Sequence, residues 1–254
     1  MGVKNDMNNK TFFSLLREDS LSKDSKGLLD KFLSRCILYT SHYSLSNNAT
    51  IQAEMPEATY VFGKEDWEKQ GGVLRLNACP LEITAPVVQN KTVKFVKVEV
   101  YDISQTNLTP SISPWLNLTD EKKLALITTF CHQAKINVVI REFKAAYPSR
   151  IYYSAADRTF YLKKGTSAKA MTALLLKELF VWQMQNQKGM ISDVAEKISS
   201  LSTFMIMQWL GDGNESINPR TKAEFYQLKD SYQNLKLTFE FGNRFKKALR
   251  KIIG

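Results

Sequence analysis

Residues 173–185, ALLLKELFVWQMQ, constrain the fold more than any other stretch. Their apolar residues recur at the three- and four-residue spacing of a helix. The pattern predicts one long helix over 167–187, with Thr166 or Ser167 as its N-cap. Most of that helix belongs in a core, and Lys177 is the exception. Its helical neighbours are Ala173, Leu174, Val181 and Met184, and Glu178 beside it flanks Leu174, Leu175, Val181 and Trp182. A free charge on such a stripe is costly, so both side chains must find partners or reach out to solvent.

Lys177-Glu178-Leu179-Phe180-Val181 also has the outline of the His-Glu-x-x-His helix of zinc peptidases, with both histidines replaced. In such a helix the i and i+4 histidines share one face and hold the metal, while the glutamate takes a proton from the bound water. Valine has no donor atom, and lysine is itself a cation at neutral pH. His42 and His132, the chain's two histidines, lie elsewhere. The residues therefore predict no metal, no cofactor and no hydrolysis here, with Lys177, Glu178 and Val181 vestigial. Two alternatives stand for Lys177. Either its ammonium fills the metal's place, held by Asp193 or Glu196 of the next helix, or both charges sit at the rim.

Elsewhere the periodicities alternate between helix and strand. Leu28, Leu29, Phe32, Leu33, Cys36 and Ile37 predict a helix in the first forty residues. GKEDWEKQGG predicts a short helix ended by Gly71 and Gly72 through left-handed backbone angles. In KTVKFVKVEVYDI, Val96, Val98 and Val100 share one face and Lys97, Glu99 and Tyr101 the other, the mark of a half-buried strand; LEITAPVV is its neighbour across a QNK turn. Residues 111–118 read as a linker, anchored by Trp115 and Leu116, between domains at 1–110 and 119–254. The second half begins with a helix capped by Thr119 or Asp120. A strand at INVVI, a hairpin at RIYYSAADRTFYL, the long helix, a helix over 191–210 and a helical remainder broken near Ser231 follow. The fold class is α+β: an N-terminal helix-plus-small-antiparallel-sheet domain, then a mostly helical domain with a short sheet or hairpin.

A hydrophobic content of 44% in 254 residues supports one large core or two small ones. The formal charge of +10, from 35 basic and 25 acidic residues, favours a polyanionic partner. Arg244, Lys246, Lys247, Arg250 and Lys251 form a basic tail that either grips phosphates or lines the solvated face of an amphipathic helix. No apolar run reaches the length of about 18 residues that suggests a membrane span. The N-terminus lacks the apolar core of a signal peptide. Cys36, Cys79 and Cys131 have no ligand spacing and cannot all pair, which suits the cytoplasm. GDGNESINP lacks a phosphate loop's lysine-serine ending, and Asp212 and Asn214 lack the spacing of a calcium loop. No Gly-x-Ser-x-Gly elbow is present.

Two groups of residues together resemble the ArdC and LtrC proteins of plasmids, conjugative elements and phages. The first runs from YSLSNNATIQAEMPEATYVFGKEDWEKQGG to VYDISQT; the second joins IYYSAADRTFYL, the long helix and DVAE. Tyr43, Ser44 and Asn47 match the family's opening Tyr-Ser-x-x-Asn. Pro56, Ala58 and Thr59 match its next step, Trp67 its helix tryptophan, and Asp102, Gln105 and Thr106 its strand end. The resemblance covers about 45–210 and implies an N-terminal single-stranded-DNA-binding domain joined to a zincin-like peptidase domain. Glu178 then carries over as the acid of a site without histidines, with Ser192 where the third ligand would fall. Relatives usually carry a basic glycine-rich loop after the tryptophan; here GGVLRLNACPLEITAP offers only Arg75.

The resemblance implies a non-enzymatic single-stranded-DNA-binding protein of a mobile element, antirestriction or transfer accessory in role. Arg75, Lys91, Lys94 and Lys97 are its candidate phosphate contacts, and Tyr60, Phe62, Trp67, Phe95 and Tyr101 its candidate stacking platforms. Size alone favours the core for Trp67 and Phe95. Tyr43, Asn47 and Gln105 either contact the strand or tie local backbone. The alternative is an inhibitor or adaptor that binds a host or mobile-element protein through a pseudo-peptidase scaffold. Oligomeric state is left open.

Overall fold

The computed structural model describes residues 9–89, 91–110, 116–143, 149–212 and 216–254, the Gln187 side chain excepted. Most of the expected linker, Trp115 included, and Asn214 lie outside the described residues. The chain divides into two compact units, 1–114 and 115–254.

In the first unit, helices α1 (Asn9–Leu21), α2 (Leu28–Leu38) and α3 (Leu45–Glu54) precede strand β1 (Val61–Phe62) and helix α4 (Lys64–Lys69). Strands β2 (Leu81–Gln89) and β3 (Thr92–Asp102) complete an antiparallel sheet of order β1-β3-β2. The alternation seen in the sequence sets the register: Leu81 faces Val100 and Ile83 faces Val98. These apolar pairs meet Ile51, Ala58 and Val61 in one core cluster. Gly71 ends α4 at φ 78°, as its sequence suggests. Gly72 serves a different purpose, because a Cβ there would come within 2.9 Å of Leu108 Cδ1 and 3.1 Å of the Trp67 carbonyl.

The second unit holds α5 (Asp120–Gln133), β4 (Asn137–Arg141), β5 (Ile151–Ser154), β6 (Thr159–Lys163), α6 (Ala168–Lys188), α7 (Ser192–Trp209), α8 (Pro219–Tyr226) and α9 (Ser231–Ile253). Thr119 caps α5 and Ser167 caps α6, each hydroxyl accepting an amide of the first turn. β5 and β6 form the expected hairpin, and β4 adds to β6 in parallel. α6 buries Leu175, Leu176, Leu179, Phe180 and Met184. α7 is buried around much of its circumference, packed against both α6 and α9. No described helix is long and apolar enough to cross a membrane.

Candidate nucleic-acid interface

The motif residues of the first unit lie at its joints. Ser44 caps α3, its Oγ accepting the Asn47 amide at 3.2 Å. The Asn47 side chain donates to the Thr84 carbonyl at 2.8 Å and accepts the Thr84 amide at 3.1 Å. It thereby pairs with the edge of β2 as a neighbouring strand would. Tyr43 donates its hydroxyl proton to the Val61 carbonyl at 2.9 Å, and burial pushes its pKa up to about 12. Asp102 is only 2% exposed and accepts amides of Thr59 (2.6 Å) and Ser104 (2.9 Å). Gln105 accepts the Asp102 amide and donates to the Cys79 carbonyl at 2.6 Å. Of the two roles open to Tyr43, Asn47 and Gln105, tying backbone is the one their hydrogen bonds fill.

Two expected platforms are core residues. Trp67 is 2% exposed, its indole N–H donating to the Tyr101 carbonyl at 2.8 Å. Tyr101 is buried beside it and donates its hydroxyl to Glu99. Covered to that extent, neither ring is a stacking platform on the outer surface. Tyr60 is half-buried, edge-on to Tyr39 at 5.3 Å, and Phe62 lies flat against His42 at 5.1 Å.

Phe95 reverses the expectation from size. It is 72% exposed, and so are Val88 (74%) and Val93 (55%). Beyond Ala85 and Val96 the β2–β3 hairpin runs clear of the core, leaving both faces open. Pro86 lies opposite Phe95, and Val93 and Lys97 share its face because side chains alternate along a strand. Lys94 stands on the other face and donates to Gln89; Lys97 pairs with Glu82 at 3.1 Å across exposed surface. Lys91, at φ 61°, forms the tip. Arg75 is exposed; its Nε donates to the Thr106 carbonyl at 2.9 Å.

The basic tail is the solvated side of α9. Arg244, Lys247, Arg250 and Lys251 lie toward solvent, whereas Lys246 is 2% exposed with its Nζ 5.8 Å from the Trp209 ring centre. Burial and then the Arg250 charge depress its pKa to about 7. Lys246 is therefore withdrawn as a phosphate contact.

On α6, Val181 is buried while Lys177 and Glu178 are half-buried. Asp193 is taken by Lys197 at 2.7 Å, and no ion pair joins Lys177 to an acid of α7 among the described residues. The rim alternative fits. Burial raises the Glu178 pKa above its ordinary 4.5; Lys177 opposes the shift and Glu196 adds to it. Folded Glu178 thus keeps a proton that the unfolded chain releases, and stability falls as pH rises from 4.5 through the raised value. Glu178→Gln is expected to stabilise the protein at neutral pH and to change nothing below about pH 4, where both states are protonated. Urea unfolding at the two pH values checks this, and equal stability at neutral pH contradicts it.

No group of three or more His, Cys, Asp or Glu able to hold a metal occurs among the described residues. Where the zinc-peptidase outline would need donors, α6 carries the Lys177 ammonium and the Val181 isopropyl group, so the residues present do not fit a metal. The fold as a whole is similar to the Mn(II)-bound crystal structure of antirestriction ArdC protein from plasmid R388. The TM-score is 0.53 at 16% identity, over 88% of this chain and 97% of that one. Its metal-free crystal structure matches with a TM-score of 0.46 at 13% identity, over 82% of this chain and 84% of that one. No protein-family model and no curated protein matches the sequence.

Proposed function

We propose that this chain is a non-enzymatic single-stranded-DNA-binding protein of a mobile element, antirestriction or transfer accessory in role, and that the outer half of the β2–β3 hairpin holds the strand. The observation that carries this reading is the exposed Phe95 ring beside Lys97, with Lys91 at the tip and Lys94 behind. A ring open to solvent stacks on any base, and ammonium groups around it neutralise the passing phosphates. The charge of +10 and the antirestriction role of the similar plasmid protein support the same reading. The body around α6 then serves as scaffold.

Fluorescence anisotropy with single- and double-stranded oligonucleotides over a salt series tests it. Single strands are expected to bind more tightly, with log affinity falling linearly against log salt. Phe95→Ala is expected to weaken that binding by about tenfold. Affinity indifferent to salt, or equal for duplex, contradicts the proposal.

A second reading has its own observation. Val87, Val88, Val93 and Val96 leave an apolar surface around the hairpin, and such patches often meet protein partners. An adaptor of that kind shows no salt-dependent affinity for single strands.

A further inference from the structure

A cavity of about 470 Å³ opens in the first unit, away from the hairpin tip. Tyr60, Phe62 and Trp67 supply its aromatic walls, and Ile103 and Leu108 its aliphatic ones. It is a built feature. The Trp67 indole N–H is fixed by donating to the Tyr101 carbonyl, the Leu108 backbone N–H donates to Thr106 Oγ1 at 3.0 Å, and Gly72 supplies the space for Leu108. No charged side chain lines it among the described residues. Two amides at its rim are each half used. Gln70 donates to the Asp66 carbonyl, which leaves its oxygen as an acceptor; Asn107 accepts the Val73 amide at 2.7 Å, which leaves its NH₂ as a donor.

Flat apolar walls, one acceptor, one donor and no charge describe the complement of a neutral aromatic heterocycle with polar edges. Arg75 adds the rest. Its Nε is spent on the Thr106 carbonyl, next to Asn107 in sequence, and its terminal nitrogens remain to meet an anion. We propose that the cavity takes one unpaired nucleobase of the bound strand, with the adjoining phosphate on the Arg75 guanidinium. This rests on the single-stranded-DNA reading above and adds a second point of contact, one that reads a base and not only charge.

The test compares an oligothymidylate with an abasic oligomer of the same length, by anisotropy, on the full chain. Leu108→Trp fills the cavity, and Phe62→Leu removes one wall should the first variant fail to fold. Either substitution is expected to weaken the oligothymidylate by about tenfold and to leave the abasic oligomer unchanged. Equal losses on both oligomers, or none on either, overturn the base pocket while leaving strand binding intact. Wild-type protein that binds both oligomers equally does the same. Wild-type protein that binds neither overturns the pocket and the nucleic-acid reading together.

Discussion

Lys123→Ala is expected to destabilise the second unit by about 3–5 kcal/mol, enough to unfold much of it near body temperature. Lys123 sits in the first turns of α5 yet is 4% exposed. Its ammonium lies 2.9 Å from Asp212 and 3.2 Å from Asp120, and Lys169 at the start of α6 reaches Asp212 at 3.6 Å. The cluster thus ties the starts of α5 and α6 to the segment after α7. Asp212 is itself nearly buried, so deleting Lys123 leaves a desolvated carboxylate that, among the described residues, has only the longer approach of the Lys169 ammonium. Breaking one side of such a pair costs more than the pair contributes, because the stranded charge keeps its desolvation penalty. Thermal unfolding monitored through Trp182 and Trp209 reads the loss. A change under about 1 kcal/mol, typical of surface pairs, contradicts a buried role.

Asp102→Ala is expected to cost the first unit about 3 kcal/mol, since two amides lose their acceptor and each orphaned buried group costs about 1–3 kcal/mol. Thr59 and Ser104 both donate to this carboxylate, which joins the end of β3 to the segment leading into β1. Asp102→Asn keeps an acceptor oxygen and is expected to recover part of the loss. Hydrogen exchange at the Thr59 and Ser104 amides gives a local reading, with protection falling in Asp102→Ala first. Unchanged exchange at both amides counts against the joint.

How far the sequence can be read follows from the kind of information each feature needs. The β2–β3 pairing, the caps Thr119 and Ser167 and the break before α9 rest on local pattern, and the structure has them where the pattern puts them. Phe95 is harder. Alternation states which residues share a face but not how far the core extends beneath it, and Phe95 lies on the part of β3 that extends past the core. Lys246 fails for the opposite reason. Its helix is flanked by α5 and α7, so the buried arc is wider than the apolar stripe alone suggests.

The motif residues show a third limit. Asn47 finds its partner 37 positions away and Asp102 finds Thr59 at 43, distances over which residue type suggests a hydrogen bond but not with whom. The family resemblance points to these positions, yet their side chains are occupied within the fold. The cavity has no sequence signature of its own, because its walls come from β1, α4 and the chain after β3, which share no pattern along the sequence. Gly72 is the one available signal, a second glycine where one suffices to end a helix.

We propose a division of labour in the first unit, in which the motif residues hold the fold and the hairpin lysines hold the strand. The decisive experiment measures salt-dependent affinity for a single-stranded oligonucleotide beside thermal stability on a Lys91→Asn, Lys94→Gln, Lys97→Gln triple variant. The melting temperature is expected to stay unchanged and the log–log salt slope to become shallower by about 2, near 0.7 for each phosphate no longer neutralised. A slope equal to wild type, or a variant that binds normally but melts early, would contradict that division.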